Sequence, residues 1–212
     1  MSELILYGSG TMRTHRTLWL AEEMGLDYIH HPAEARNGDT HTPEFLALNP
    51  RHKVPVMAHG DFVLTESSAI LNYMAATFDA PEDFFVPATP QEVARQAEWM
   101  FFTMSELDAN GLYSMRRHGD LKHLYGDSPI AVESGRKYFL HQVERMEEAI
   151  RAAPNLMGEK FGTADILFAS CLDWAVHYDI ELPAWLDEIR LRHKARPAHA
   201  RAAERNYERG SI

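Results

Sequence analysis

The chain has 212 residues, 45% hydrophobic and 25% charged, with a single cysteine, enough apolar material for one or two compact cores. No run approaches the length of a membrane-spanning helix, the start Met1-Ser2-Glu3-Leu4 lacks the basic opening of a signal peptide, and one cysteine forms no internal disulfide. The expectation is a cytoplasmic chain with no membrane partner. A net charge of −10 argues against a general nucleic-acid binder while leaving room for a small anionic ligand, because clefts are charged locally.

Residues 3–7 (ELILY) form a β-favouring apolar run that ends at the loop signal Gly8-Ser9-Gly10-Thr11. The spacing predicts a helix over 14–24, with Leu18, Ala21 and Met24 on one face and Gly25 as its stop, then a second strand over 26–31. Thr42-Pro43-Glu44 supplies an N-cap and a first-turn proline for a short helix, which Asn49-Pro50 ends. Residues 54–57 and 62–64 flank His59-Gly60-Asp61 as a hairpin, and 67–78 is again helical. Around 79–89 prolines and acidic residues break the pattern. Beyond that point no strand is expected. Thr89-Pro90-Gln91-Glu92 is a capping box, after which Val93, Ala97, Met100, Met104 and Leu107 recur at helical spacing. Ser128-Pro129 opens another helix, with Phe139, Val143, Met146 and Ile150 on one stripe. Residues 163–177 form a strongly apolar helix, and Pro183 and Pro197 open shorter ones. The expected organisation is an α+β domain of order βαβαββα over 1–79, a linker over 80–89 and an all-helical domain over 90–212.

Two stretches carry chemistry. In Lys53-Val54-Pro55-Val56 a proline sits inside an apolar strand-like run, which suits a strand's first residue or edge. The backbone of the preceding residue is then free to pair with an extended peptide ligand. Taken alone, the same residues read as an edge strand with a trans proline. Glu66-Ser67 falls where a strand feeds a helix. The N–H groups of a helix start and a hydroxyl suit a ligand carboxylate, and the Glu66 carboxylate suits an ammonium, so together they match an amino-acid zwitterion. The plainer alternative is Ser67 as a simple cap and Glu66 as a solvated charge. Among twelve histidines no metal-ligand spacing occurs, since adjacent His30 and His31 point to opposite sides of a strand. Without a Gly-x-Gly-x-x-Gly or phosphate loop, no nucleotide is implied. Cys171, inside the apolar helix, is expected to pack in the core.

The ordered set Leu6-Tyr7-x-Ser9, Arg16-x-Leu18-Trp19-Leu20-x-Glu22-Glu23-x-Gly25, Asn49-Pro50-x-x-Lys53-Val54-Pro55 and Glu66-Ser67-x-Ala69-Ile70 resembles the cytosolic glutathione transferases, most closely their broad bacterial group. A looser match continues through Phe161-Gly162-Thr163-Ala164-Asp165-Ile166, where Gly162 replaces the family's Ser or Thr. The resemblance implies a thioredoxin-like domain followed by an all-helical one, with glutathione as co-substrate and neither metal nor nucleotide. Val54 and Pro55 match the family's cis-proline position, where the Val54 backbone pairs with the cysteinyl unit. Glu66 and Ser67 match the residues that hold the γ-glutamyl end, and Lys53 a side chain near the glycyl carboxylate.

A hydroxyl near the first strand and helix stabilises the thiolate in this family, because a free thiol of pKa about 8.5 is mostly protonated at neutral pH. Thr11 is ranked first, then Ser9, then Tyr7, which also fits a strand-end packing residue. The loop carries no cysteine, which disfavours a cysteine-based disulfide relay. For the second substrate, a hydrophobic electrophile, the candidates are Trp99, Phe102, Thr103, Glu106 and Tyr113. Trp99 and Phe102 lie off the Val93–Leu107 stripe, though an ordinary two-sided buried helix accounts for them equally. A homodimer is also implied. Two rivals remain: a glutathione-dependent peroxidase or disulfide reductase on the same scaffold, and a non-catalytic interaction module.

Overall fold

The computed structural model describes residues 3–207, so Met1, Ser2 and the outer ends of the two expected domains lie outside the described residues. By contact the chain divides into two units. One runs to Glu82 and takes in the chain again from Arg192; the other is Asp83–Leu191.

In the first unit β1 (Leu4–Tyr7), α1 (Met12–Glu23), β2 (Ile29–His31), α2 (Pro43–Leu48), β3 (Val56–His59), β4 (Phe62–Thr65) and α3 (Ser67–Thr77) follow the expected order. The sheet is mixed, in the order β2-β1-β3-β4, with β1 parallel to β2 and antiparallel to β3. Leu6 stands opposite Met57, and Met57 opposite Leu64. This is a thioredoxin-like arrangement. Thr11 opens α1 two residues earlier than the apolar spacing predicts, because its side chain accepts the Thr14 N–H at 3.0 Å. Leu18, Trp19, Leu20 and Ala21 are all buried. Four consecutive buried residues need cover on every side, and α3 and α11 (Pro197–Tyr207) both pack on α1.

Two carboxylates of α1 bind α11 and Arg196, the residue just before it. Glu23 accepts from Arg196 Nε and Nη2 at 2.6 and 2.9 Å and from Trp19 Nε1 at 2.8 Å. Glu22 accepts from Arg201 Nε at 2.7 Å and from the Tyr28 hydroxyl at 2.8 Å, and Arg205 Nε lies 2.8 Å away. Burial alone pushes the Glu22 carboxyl up, but the Arg201 and Tyr28 hydrogen bonds and the charges of Arg205 and Arg201 hold it below its ordinary value. Contact therefore groups the chain from Arg192 onward with the thioredoxin-like unit, where sequence continuity had counted it with the helical residues.

His193, at the end of α10 (Ala184–Lys194), is 3% exposed. Burial, aided by the charges of Arg192 and Arg196, pushes its imidazole down to about 3. The unfolded chain takes up this proton near pH 6.5 and the native state does not, so native stability is lost as pH falls below about 6.5. At pH 5 the loss attributable to His193 is about 2 kcal/mol. Urea unfolding at pH 7 and pH 5 checks this: the wild type should lose about 2 kcal/mol more than His193→Gln, and equal losses would sink the assignment.

The second unit contains β5 (Phe84–Phe85), α4 (Pro90–Phe102), a π-helical run Thr103–Tyr113, α5 (Ser114–His118), α6 (Lys122–Tyr125), α7 (Pro129–Arg145), α8 (Glu147–Arg151), β6 (Phe161–Gly162) and α9 (Thr163–His177), and most of α10. Thr89 with Glu92, and Ser128, cap α4 and α7 as their sequences require. The largely helical character holds, with one correction to the expectation of no further strands: β5 and β6 pair in parallel over two residues each. That pairing explains Gly162. A Cβ there would stand 3.1 Å from Phe85 Cβ and 3.2 Å from the Phe85 carbonyl oxygen, so the close strand partner leaves little room for Ser or Thr. Asp165 caps α9 instead, accepting the N–H of Gly162 at 2.9 Å and of Leu156 at 2.8 Å.

A second correction concerns α4. Val93 is 52% exposed, while Gln96, Trp99, Met100, Thr103 and Leu107 are buried. Trp99 is thus on the buried stripe rather than beside it. Cys171 is buried in α9 and is not part of a disulfide. No helix of the described residues is long and apolar enough to cross a membrane.

Candidate functional site

Within the first unit, the loop after β1 turns through Gly8 and Gly10, whose φ values of +125° and +68° favour glycine. A Cβ on Gly8 would collide with Thr14 Cγ2 and stand 2.8 Å from Val54 Cβ. Only a bare backbone fits there, so the hydroxyl loop lies directly against Val54. Main-chain bonds of 3.0 Å from Gly8 to His31 and from Ser9 to Ala33 tie the loop to the chain leaving β2.

The Val54–Pro55 peptide bond is cis. Pro55 directly precedes β3, which is a central strand between β1 and β4, so of the two places that suit a proline it takes the strand's start and not an edge. Val54 is half-buried and packs with Tyr7 and Leu48 against Ala33, Phe45 and Val56. Among the described residues its backbone N–H and C=O have no hydrogen-bond partner. The neighbouring Lys53 carbonyl is held by Asn49 Nδ2 at 2.8 Å, leaving the Lys53 side chain exposed.

β4 ends at Thr65 and α3 begins at Ser67. Glu66 occupies the cap position with φ +71° and makes no side-chain capping bond. Its carboxylate turns instead to Arg51, whose Nη1 donates to Oε1 at 2.8 Å while Nη2 donates to Thr65 Oγ1 at 2.9 Å. Ser67 is buried, and its Oγ accepts from Arg16 Nη1 at 3.3 Å. Arg16 is itself wholly buried. Both arginines escaped the sequence reading. Arg16 stood in the quoted pattern without a role, and Arg51 fell on one of its unspecified positions.

The three hydroxyls differ in setting. Tyr7 lies edge-on to Phe45 with ring centroids 6.5 Å apart, and 5.1 Å from His31, in the apolar cluster that also holds Val54. Ser9 is buried with its Oγ unpartnered, against a cavity of about 560 Å³ that His30, Arg201, Arg205 and Asn206 also line. Thr11 is half-buried at the start of α1; its oxygen accepts the Thr14 N–H, which leaves its own proton to donate. The α4-side candidates belong to the second unit. Trp99 and Thr103 are buried there, Trp99 and Phe102 pack edge-on at 6.1 Å, and Glu106 accepts a short hydrogen bond from Tyr138 that, with burial, raises the phenol above its ordinary pKa. Tyr113, half-buried, ends the π-helical run.

The first unit therefore offers an unpaired backbone donor and acceptor, a carboxylate steadied by a guanidinium, a helix start and a hydroxyl loop. Such a surface can hold an extended zwitterionic peptide and stabilise an anion at the hydroxyls. Among the described residues no group of three or more His, Cys, Asp or Glu is placed to hold a metal ion.

Comparisons with known proteins bear on the family and the fold. Residues 2–76 match the family model for the glutathione S-transferase N-terminal domain. The chain is 35% identical over 171 residues to glutathione S-transferase 3 of Zea mays, covering 78% of this chain and 75% of that one. It is 26% identical over 219 residues to a probable maleylacetoacetate isomerase of Vibrio cholerae, covering 97% and 98%. Its fold superposes with a TM-score of 0.79, at 27% identity and over 96% and 98% of the two chains, on the theta class glutathione S-transferase of Xanthomonas axonopodis pv. citri, solved with glutathione bound.

Proposed function

This chain belongs to the glutathione S-transferase family, and from that premise we propose that it joins the glutathione thiolate to an electrophilic carbon of an apolar substrate. The observation that carries the proposal is the convergence, within one unit, of the free Val54 backbone, the Arg51-steadied Glu66, Ser67 at the helix start and a hydroxyl loop touching Val54.

In the proposed complex the Val54 N–H and C=O pair with the cysteinyl unit as an added strand does. Glu66 takes the γ-glutamyl ammonium, Ser67 and the first N–H groups of α3 take its carboxylate, and Lys53 lies beside the glycyl carboxylate. Thr11 Oγ1 donates to the sulfur, and the N-terminal end of α1 adds a favourable field for the anion. The thiol proton leaves to solvent. The sulfur lone pair forms an S–C bond, and the leaving group departs with the electrons of the bond it gives up. Of the α4-side candidates, the half-buried Phe102, Glu106 and Tyr113 remain proposed contacts for the electrophile, while Trp99 and Thr103 are buried within the second unit. The homodimer and the cytoplasmic setting belong to the same proposal.

The V. cholerae relative, matched over nearly its full length, favours a second reading. The same thiolate, adding reversibly to a conjugated double bond, permits rotation and returns glutathione unchanged. Product analysis separates the two, since conjugation consumes glutathione and isomerisation does not.

The test is calorimetric titration with reduced glutathione, followed by turnover of an activated aryl halide by Thr11→Val, Ser9→Ala and Tyr7→Phe. Loss of the donor to the thiolate is expected to cost about 10²-fold in kcat for Thr11→Val. The other two variants should stay within about tenfold of the wild type, on the same scale of effects. Failure of the wild type to bind millimolar glutathione would end the transferase proposal and turn attention to an interaction module.

A further inference from the structure

Two glycines with positive φ, Gly8 and Gly10, flank Ser9 and precede Thr11. Such a segment has many backbone conformations open to it. A catalytic hydroxyl is only as well placed as the groups that hold its backbone. Asn206 of α11, 2% exposed, supplies those groups from far along the chain. Its main-chain carbonyl accepts the Gly10 N–H at 2.9 Å. Its Nδ2 donates to the Thr11 carbonyl at 3.0 Å, and its Oδ1 accepts the Thr14 hydroxyl at 2.6 Å. The residue thus satisfies one peptide N–H, one peptide C=O and one side chain of the same turn.

The last of these bonds also sets the direction of a proton. Thr14 has one hydroxyl hydrogen and three acceptors within reach, the Thr11 hydroxyl at 3.0 Å, the Thr11 carbonyl at 2.8 Å and Asn206 Oδ1 at 2.6 Å, the shortest of the three. With that hydrogen on Asn206, Thr14 Oγ1 is left as an acceptor, for the Thr11 N–H at 3.2 Å and for the Thr11 hydroxyl at 3.0 Å. Thr11 is then the donor of the pair. A thiolate needs a donor there, and the Thr11 hydrogen can swing to it without any other group giving up a proton.

We propose that Asn206 is a positioning residue for the thiol-activating loop, fixing the backbone at Gly10 and Thr11 and keeping the Thr11 hydroxyl a donor toward the glutathione sulfur. The proposal rests on the transferase reading, and its test separates the two. Asn206→Ala removes both side-chain bonds. Asn206→Asp keeps the shape and the acceptor for Thr14 but loses the donor to Thr11.

For each variant the glutathione Kd is measured by calorimetry, the ionisation of the bound thiol by thiolate absorbance against pH, kcat against pH, and the melting temperature. The Kd should stay within about threefold, a shift well below that of a lost charged contact, because Val54, Glu66 and Ser67 are untouched. The bound thiol should titrate about one unit higher in Asn206→Ala, so that kcat below the wild-type thiol pKa falls about tenfold and recovers as pH rises through the new one. Asn206→Asp should lie between, and it carries the comparison if the alanine variant does not fold. A lowered melting temperature with an unmoved thiol pKa would overturn the positioning role and leave the transferase reading standing. A wild type that neither binds nor ionises glutathione overturns both.

Discussion

Replacing Glu66 by glycine is expected to make the protein more stable while it loses its hold on glutathione. Glu66 adopts φ +71° and ψ 117°, a region that costs a residue with a Cβ on the order of 1–3 kcal/mol and glycine far less. What the side chain returns to the fold is small, since its ion pair with Arg51 is 55% and 60% exposed, and such pairs contribute about 0–1 kcal/mol. Chemical denaturation should therefore show Glu66→Gly more stable by about 1 kcal/mol. Glutathione binding should weaken by roughly 10–100-fold, the equivalent of one charge-assisted hydrogen bond. Glu66→Gln serves as the control: it keeps the backbone conformation and loses the charge, so it should lose affinity without gaining stability. A glycine variant that binds glutathione like the wild type would remove Glu66 from the proposed site.

Asp165→Ala is expected to be the most damaging substitution for the fold itself. The carboxylate is 1% exposed and accepts two backbone N–H groups, those of Gly162 and Leu156. Alanine leaves both without that acceptor in a dry interior, and hydrogen bonds to a charged group are worth about 1.5–3 kcal/mol each. The expected loss is about 3–5 kcal/mol, a fall of roughly 10 °C or more in Tm for a chain of this size. Asp165→Asn keeps one acceptor oxygen and should lose about half as much on the same accounting. A thermal melt within a degree or two of the wild type for Asp165→Ala would show that α9 does not depend on this cap. Because Gly162 has no side chain to offer, no second cap is at hand at its helix start.

Features written in a few adjacent residues were legible before any coordinates. Thr42-Pro43, Thr89-Pro90-Gln91-Glu92 and Ser128-Pro129 each start a helix where they stand, because a cap needs only its own first turn. The hairpin β3–β4 and its turn at Gly60 were likewise local. What escaped was decided by distant partners. β5 and β6 are two residues each, too short to show alternation, and exist only because Phe84-Phe85 meets Phe161-Gly162. The buried face of α4 passes through Gln96 and Trp99 rather than Val93, a choice made by neighbouring helices and invisible to a count of apolar spacing. At the candidate site, Glu66 and Ser67 were found from their place at a strand-to-helix junction. Arg51 and Arg16 were not, since each reaches its partner across 15 and 51 residues of chain respectively. The hydroxyl ranking could not be settled by counting, because the roles of Ser9 and Thr11 depend on what Asn206 and Thr14 do to the turn between them.

The salt-bridged return of α11 to α1 also bears on the order in which the protein can be built. A growing chain that has delivered everything up to Glu82 has made the four-stranded sheet, yet Glu22 and Glu23 still lack the arginines that bind them and Trp19 the His199 ring that packs edge-on to it. Those partners leave the ribosome only after Asp83–Leu191 has been synthesised. The first unit to be translated is therefore among the last to be finished, and during that interval its α1 flank is a place for a chaperone to hold or for a wrong partner to stick.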